Sequence, residues 1–173
     1  MFRDRLKIPK KLKQVTLWVH PEGRVVGSLF LRTQSLNAPG EEEPLEVLNT
    51  QEPFLVLKRE GPDEVRFYNK ASVVRVEYEE DKPFPLPVIE PLPCTLHLMD
   101  GSIIAGTIRR SLALERSRLF DYLNLYQEQF VKISCDYGGV CVVNKSYIAC
   151  VTPLPDGLQG KTAQARRVTE DDG

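Results

Sequence analysis

"VTLWVHPEGRVVGSL", residues 15 to 29, aligns without a gap on "CTLHLMDGSIIAGTI", residues 94 to 108, placing Thr16, Leu17 and Gly27 on Thr95, Leu96 and Gly106. After a loop four residues longer in the first copy the match resumes: "LEVLNTQEPF" (45 to 54) is echoed by "DYLNLYQEQF" (121 to 130), and "YNKASVVRV" by "VNKSYIACV". Leu48-Asn49 stands on Leu123-Asn124, Phe54 on Phe130, and Asn69-Lys70 on Asn144-Lys145. A repeat defines the unit from which a fold is built, so it divides the chain before any element is assigned. Residues 13 to 79 and 92 to 154 are two copies of one unit. Residues 80 to 91 between them read as a linker, because "EEDKPFPLPVIEPLP" (79 to 93) carries five prolines, which cannot donate to a sheet ladder and favour an extended connector. Residues 1 to 12 read as a basic N-terminal arm, and residues 155 to 173, with almost no apolar side chains, as a disordered tail.

Within a copy the alternation of "TLWV" and "TLHL" predicts a half-buried first strand, with Leu17, Val19, Leu96 and Leu98 inward and Trp18 and His97 at equivalent outward positions. A turn at Pro21-Glu22-Gly23 or Asp100-Gly101 leads to a second strand ending near Gly27 or Gly106. Phe54 to Lys58 and Phe130 to Ser134 make a third strand, "VRFY" and "VCVV" a fourth, and "VVRVEY" and "IACVTP" a fifth. Between strands two and three, "PLEVLN" and "SRLFDYLN" predict one or two helical turns, with Pro44 suited to a first helical position, Ser117 to a cap and Asn124 to a left-handed stop. The fold class is therefore all-β with a minor α component: two tandem five-stranded β-barrels, each with one short helix. A lone barrel of about 60 residues is marginally stable, so the two are expected to pack face to face, related by an approximate twofold.

With 23 basic and 24 acidic side chains, and a net charge of −1, no global field draws this chain to nucleic acid or an anionic membrane. Apolar runs such as "FLVL" (54 to 57) are far below the roughly 18 residues that span a bilayer, and "MFRDRLKIPKKLKQ" lacks the apolar region of a secretory signal. The expectation is a cytoplasmic protein without a transmembrane segment. Cys94, Cys135, Cys141 and Cys150 all lie in the second copy, with no close ligand pairs and only two histidines in the chain. That pattern predicts free thiols, and no metal or cofactor is expected.

Strand, Asp100-Gly101, strand, Gly106, a loop carrying Asp121 and Asn124, and a polar turn into a last strand with Ile148 resemble the order of signals in Sm-like and SH3-like barrels. The last turn has Asn144-Lys145 where the Sm pattern places Arg-Gly. "RLFDYLN" followed by "VNKSYI" also resembles an uncharacterised bacterial domain family with an Arg-Leu-x-Asp-x-Leu-Asn signature, here in tandem. That likeness implies a bacterial source and no established activity. The first copy departs from it, with Glu43 and Pro44 in place of Arg118 and Leu119.

No nucleophile and base pair by sequence, since His20 and His97 both lie on or beside strand one. Candidate partner contacts are Trp18, which offers much apolar area at little entropic cost, His97, and the rim residues Asp121, Asn124, Asn144 and Lys145. The plainer reading is that Trp18 is covered within the fold and the asparagines are caps satisfied by nearby backbone. Arg3, Arg5, Lys7, Lys10, Lys11 and Lys13 form the one strong basic cluster and could meet phosphates. The reading reached is a non-enzymatic interaction or assembly module with a protein partner, open to homo-oligomerisation. The alternative is an Sm-like RNA-binding protein that uses the rim and the basic arm.

Overall fold

The computed structural model describes residues 9–37, 39–80, 90–110, 119–125 and 128–154. In the first copy β1 (Lys10–Val19) and β2 (Gly23–Arg32) form a hairpin and α1 (Pro44–Leu48) follows. β3 (Phe54–Glu60) and β4 (Asp63–Asn69) form a second hairpin, and a 3-10 turn (Lys70–Ser72) leads into β5 (Val73–Tyr78). The second copy repeats the order as β6 (Glu90–Leu98), β7 (Ile103–Arg110), α2 (Leu119–Leu125), β8 (Phe130–Cys135), β9 (Val140–Asn144), a 3-10 turn (Lys145–Tyr147) and β10 (Ile148–Pro153). Among the described residues the chain is thus all-β with two short α-helices. No helix among the described residues is long and apolar enough to cross a membrane.

The alternation of strand one holds: Leu17, Val19, Leu96 and Leu98 are buried. Leu17, Leu29, Leu55 and Leu57 centre one apolar cluster, and Leu96, Ile108, Val131 and Ile133 a second. β2 and β7 do not end at Gly27 and Gly106 but run through them. A Cβ on Gly27 would lie 2.7 Å from the Lys58 carbonyl oxygen, and one on Gly106 only 2.2 Å from that of Ser134. Each glycine therefore lets strand three cross closely over strand two, a use of glycine inside strands where backbone meets backbone.

The left-handed stop expected at Asn124 is corrected, since no non-glycine residue among those described has a positive φ and α2 continues to Leu125. Ser117, the expected cap, lies outside the described residues. The recurring Asn-Lys pair has a structural explanation. Asn69 and Asn144 each cap a 3-10 turn, accepting from the amides of Ala71 and Ser146 at 2.9 and 3.0 Å. Lys70 then donates to the carbonyl and hydroxyl of Thr50, and Lys145 to the Leu123 carbonyl. Each lysine clasps the C-terminal end of its helix, where cations are favoured. Burial lowers the pKa of both ammonium groups, opposed by Glu52 at Lys70 and Glu128 at Lys145.

All ten strands form one antiparallel sheet in the order β10-β6-β7-β8-β9-β5-β1-β2-β3-β4. Each copy has its strands in the internal order five-one-two-three-four, and the two are joined where β5 pairs with β9, from Arg75 opposite Val143 to Tyr78 opposite Val140. The twofold expected from the repeat is corrected by this seam. It joins strand five of one copy to strand four of the other, and β10 and β4, which a twofold would also bring together, are the two ends of the sheet.

Candidate partner-binding surface

The seam is built from the two strands with near-continuous apolar sequence, "VVRVEY" and "VCVVN", the signature of a strand buried on both faces. Val140 and Val142 enter the first apolar cluster while Cys141 and Val143 enter the second; on β5, Val73 and Val76 enter the first and Val74 the second. Phe130, at the start of β8, is also buried in the first cluster. Side chains lock the join. Asn49 donates to the Phe130 carbonyl at 3.1 Å and accepts its amide at 2.9 Å. Asn144 donates to the carbonyls of Lys70 and Val73, and Lys132 bridges Glu43 and Glu80 at 3.2 and 2.6 Å.

Arg75 is the buried cation of the seam. Its guanidinium lies 4.5 Å from the Trp18 ring, pairs with Glu77 at 2.8 Å and donates to the Ser102 hydroxyl at 2.9 Å. The Ser102 hydroxyl, with Arg75 adding to it, holds the Asp100 carboxyl below its ordinary range. Beside Arg75 runs a cleft of about 750 Å³ along the seam, lined among others by Thr16, Glu77, Cys135, Tyr137 and Val140. A bond to its neighbour Cys135, and then burial, raise the pKa of the Cys141 thiol, and that bond in turn lowers the pKa of Cys135 at the cleft wall. All four cysteines are free thiols.

The candidate residues scatter over this framework. Trp18 is half-buried against the second cluster, and its buried indole N–H has no hydrogen-bond partner among the described residues. His97 is half-buried on β6, 3.5 Å from the Thr152 hydroxyl. Asp121 lies in the first turn of α2, and Asn124 donates to the Phe120 carbonyl of its own helix. Asn144 is committed to the seam rather than to an open rim, because its amide satisfies carbonyls of the other copy. Lys10, Lys11 and Lys13 belong to β1, where Lys11 pairs with Glu41 and Lys13 donates to the Glu79 carbonyl. Arg3, Arg5 and Lys7 lie outside the described residues, as do residues 81–89 of the linker and the tail from 155.

One surface escaped the sequence reading. The β3–β4 hairpin closes the sheet at its far end, and its register sets Val56 opposite Phe67, with Phe54 and Val65 one step to either side on the same face. All four are exposed, while Leu55, Leu57 and Tyr68 on the other face are buried. The signal was present in "FLVLK" and "VRFY", which carry apolar residues on both faces of a strand that should need only one. The remaining feature that was missed, Arg75, reads from sequence only as a break in an apolar strand.

Fold and seam together define an all-β protein in which two copies of a five-strand unit share one antiparallel sheet through unlike strand edges. No family model, no curated protein and no solved structure matches this chain.

Proposed function

We propose that this protein is a non-enzymatic interaction or assembly module, two small Sm-like or SH3-like five-stranded barrels fused through a strand edge, and that it takes a protein chain as its partner. The short helix between strands two and three and the 3-10 turn between four and five support the barrel reading in both copies. One observation carries the function: Phe54, Val56, Val65 and Phe67 form an exposed apolar face on the terminal hairpin of the sheet. Contiguous exposed apolar side chains mark interaction surfaces, and an open strand edge offers main-chain groups to an incoming chain.

The test places a photo-cross-linking phenylalanine analogue at position 67, and for control at the exposed Arg24 of β2, in cells that make the full chain. Cross-links to a protein chain at 67 and not at 24 are expected. Equal yields at both positions, or turnover of a hydrolase substrate by the purified protein that is lost with polar residues of the cleft, would overturn the reading.

A further inference from the structure

We infer that copies of this chain associate head to tail, the β10 edge of one molecule pairing antiparallel with the β4 edge of the next, so that the internal seam is repeated between molecules. This rests on the interaction-module reading and names the partner as a second copy. The internal seam joins strand five of the first copy to strand four of the second. What it leaves at the ends of the sheet is the complementary pair, strand four of the first copy and strand five of the second. An interface between unlike surfaces always leaves one unused surface of each kind, and repetition satisfies both.

The side chains follow the same logic. With Phe54 on Phe130 and Asn69 on Asn144, Val65 and Phe67 stand where Val140 and Val142 stand. In the second copy these three positions are sealed against the first copy's core: Phe130 is 1%, Val140 4% and Val142 0% exposed. In the first copy no further strand edge lies alongside these positions among the described residues, and Phe54 is 52%, Val65 53% and Phe67 70% exposed. Apolar character is thus kept at three positions whose burial, among the described residues, occurs in the other copy. Solvation alone would favour polar residues there.

The receiving side is also present. Ile148 and Val151 of β10 stand where Val73 and Val76 receive β9, and Asn124 stands where Asn49 grips the Phe130 main chain. Among the described residues Asn124 bonds the Phe120 carbonyl of its own helix, and it is exposed, so it is placed to turn to the Phe54 main chain of a neighbour. Transferring the internal register sets Cys150 opposite Tyr68, Val151 opposite Phe67, Thr152 opposite Arg66 and Pro153 opposite Val65. Pro153 cannot donate, so the last rung is weaker than its internal counterpart. Val56 replaces Lys132, so the bridge to Glu43 and Glu80 has no intermolecular equivalent. The contact is therefore apolar and insensitive to salt. The rotation between successive molecules decides whether the array closes into a ring or extends.

The experiment is multi-angle light scattering of the full chain over a concentration series, at low and high salt, beside Phe67→Asp. The wild type is expected to exceed the 19.7 kDa of one chain by whole multiples at both salts. Phe67→Asp should hold at one chain with unchanged circular dichroism, since Phe67 supports no core. The geometry is read separately by mixing Arg66→Cys and Thr152→Cys variants, both carrying Cys150→Ser, under mild oxidation. Peptide mapping should find 66–152 disulfides. Predominant 66–66 or 152–152 disulfides would mean that like edges pair and would overturn the proposal. A wild type that stays at one chain up to millimolar concentration would overturn it too, while cross-links from position 67 to a different protein would leave the module reading standing.

Discussion

Asn49 of the first copy and Phe130 of the second, 81 residues apart, exchange two hydrogen bonds, the side-chain amide donating at 3.1 Å and the oxygen accepting at 2.9 Å. One asparagine thereby satisfies both main-chain groups at the entry of β8, where the seam begins.

Asn49→Ala should cost about 1 to 3 kcal/mol, since it strips two partly buried main-chain groups of their partner. Its aligned counterpart Asn124 is exposed and, among the described residues, bonds within α2, so Asn124→Ala should stay within about 0.5 kcal/mol. Urea midpoints at low protein concentration separate the two, and equal costs would remove the special role of the Asn49 clamp.

Gly106→Ala should be among the most disruptive single substitutions in the chain, because its Cβ would sit 2.2 Å from the Ser134 carbonyl and backbone cannot give way cheaply. A loss of more than about 3 kcal/mol, or failure to fold, is expected. Gly27→Ala meets the Lys58 carbonyl at 2.7 Å and should cost less. Thermal unfolding of both variants gives the order.

Ser102→Ala should raise the apparent pKa of Asp100 more than Arg75→Gln does, because the hydroxyl is the larger cause of its lowering and the guanidinium the smaller. Both variants retain the Asp100 carboxylate for observation by nuclear magnetic resonance. Arg75→Gln alone should change the emission of Trp18, the one tryptophan in the chain, because only Arg75 stacks on it.

Stability should fall with alkali. Burial pushes the Cys94 thiol up to about 11, and Cys141 and Tyr78 are raised as well, Cys141 by its bond to Cys135 and by burial, Tyr78 by burial. In this window the unfolded chain has released protons that the folded chain retains, so the stabilisation present below about pH 9 is lost as pH rises through 11. Cys94 alone accounts for about 2 to 3 kcal/mol. Lys70 and Lys145, lowered by burial, and Cys135, lowered by its bond to Cys141, act in the opposite direction. Urea midpoints at pH 8 and pH 10.5 should differ accordingly, and Cys94→Ala should reduce the difference.

Much of the local structure was legible from residues alone. Period-two alternation in "TLWV" and "TLHL" names the buried face of strand one because successive strand side chains must point to opposite sides. The repeat, gap-free over residues 15 to 29, gives two equivalent units, and the fifth strands, 73–78 and 148–153, fall where "VVRVEY" and "IACVTP" place them. Legibility ended where one residue type serves two purposes. Gly27 and Gly106 read as strand ends and proved to be crossing points, because the steric demand comes from a strand distant in sequence.

Alternation, turn chemistry and duplication are properties of neighbours along the chain, and they sufficed for the order of strands and helices and the all-β class, but not for strand bounds: β1 begins at Lys10, inside the expected arm, and β6 at Glu90, inside the expected linker. The order in which the two copies join, the burial of Asn144 in the seam, the stacking of Arg75 on Trp18 and the exposure of Phe67 beside the burial of Val142 were decided only in three dimensions. Phe67 and Val142 occupy the same place in two copies of one unit, and no local pattern distinguishes them. What differs is whether another strand edge lies alongside, and the association of edges depends on the whole fold.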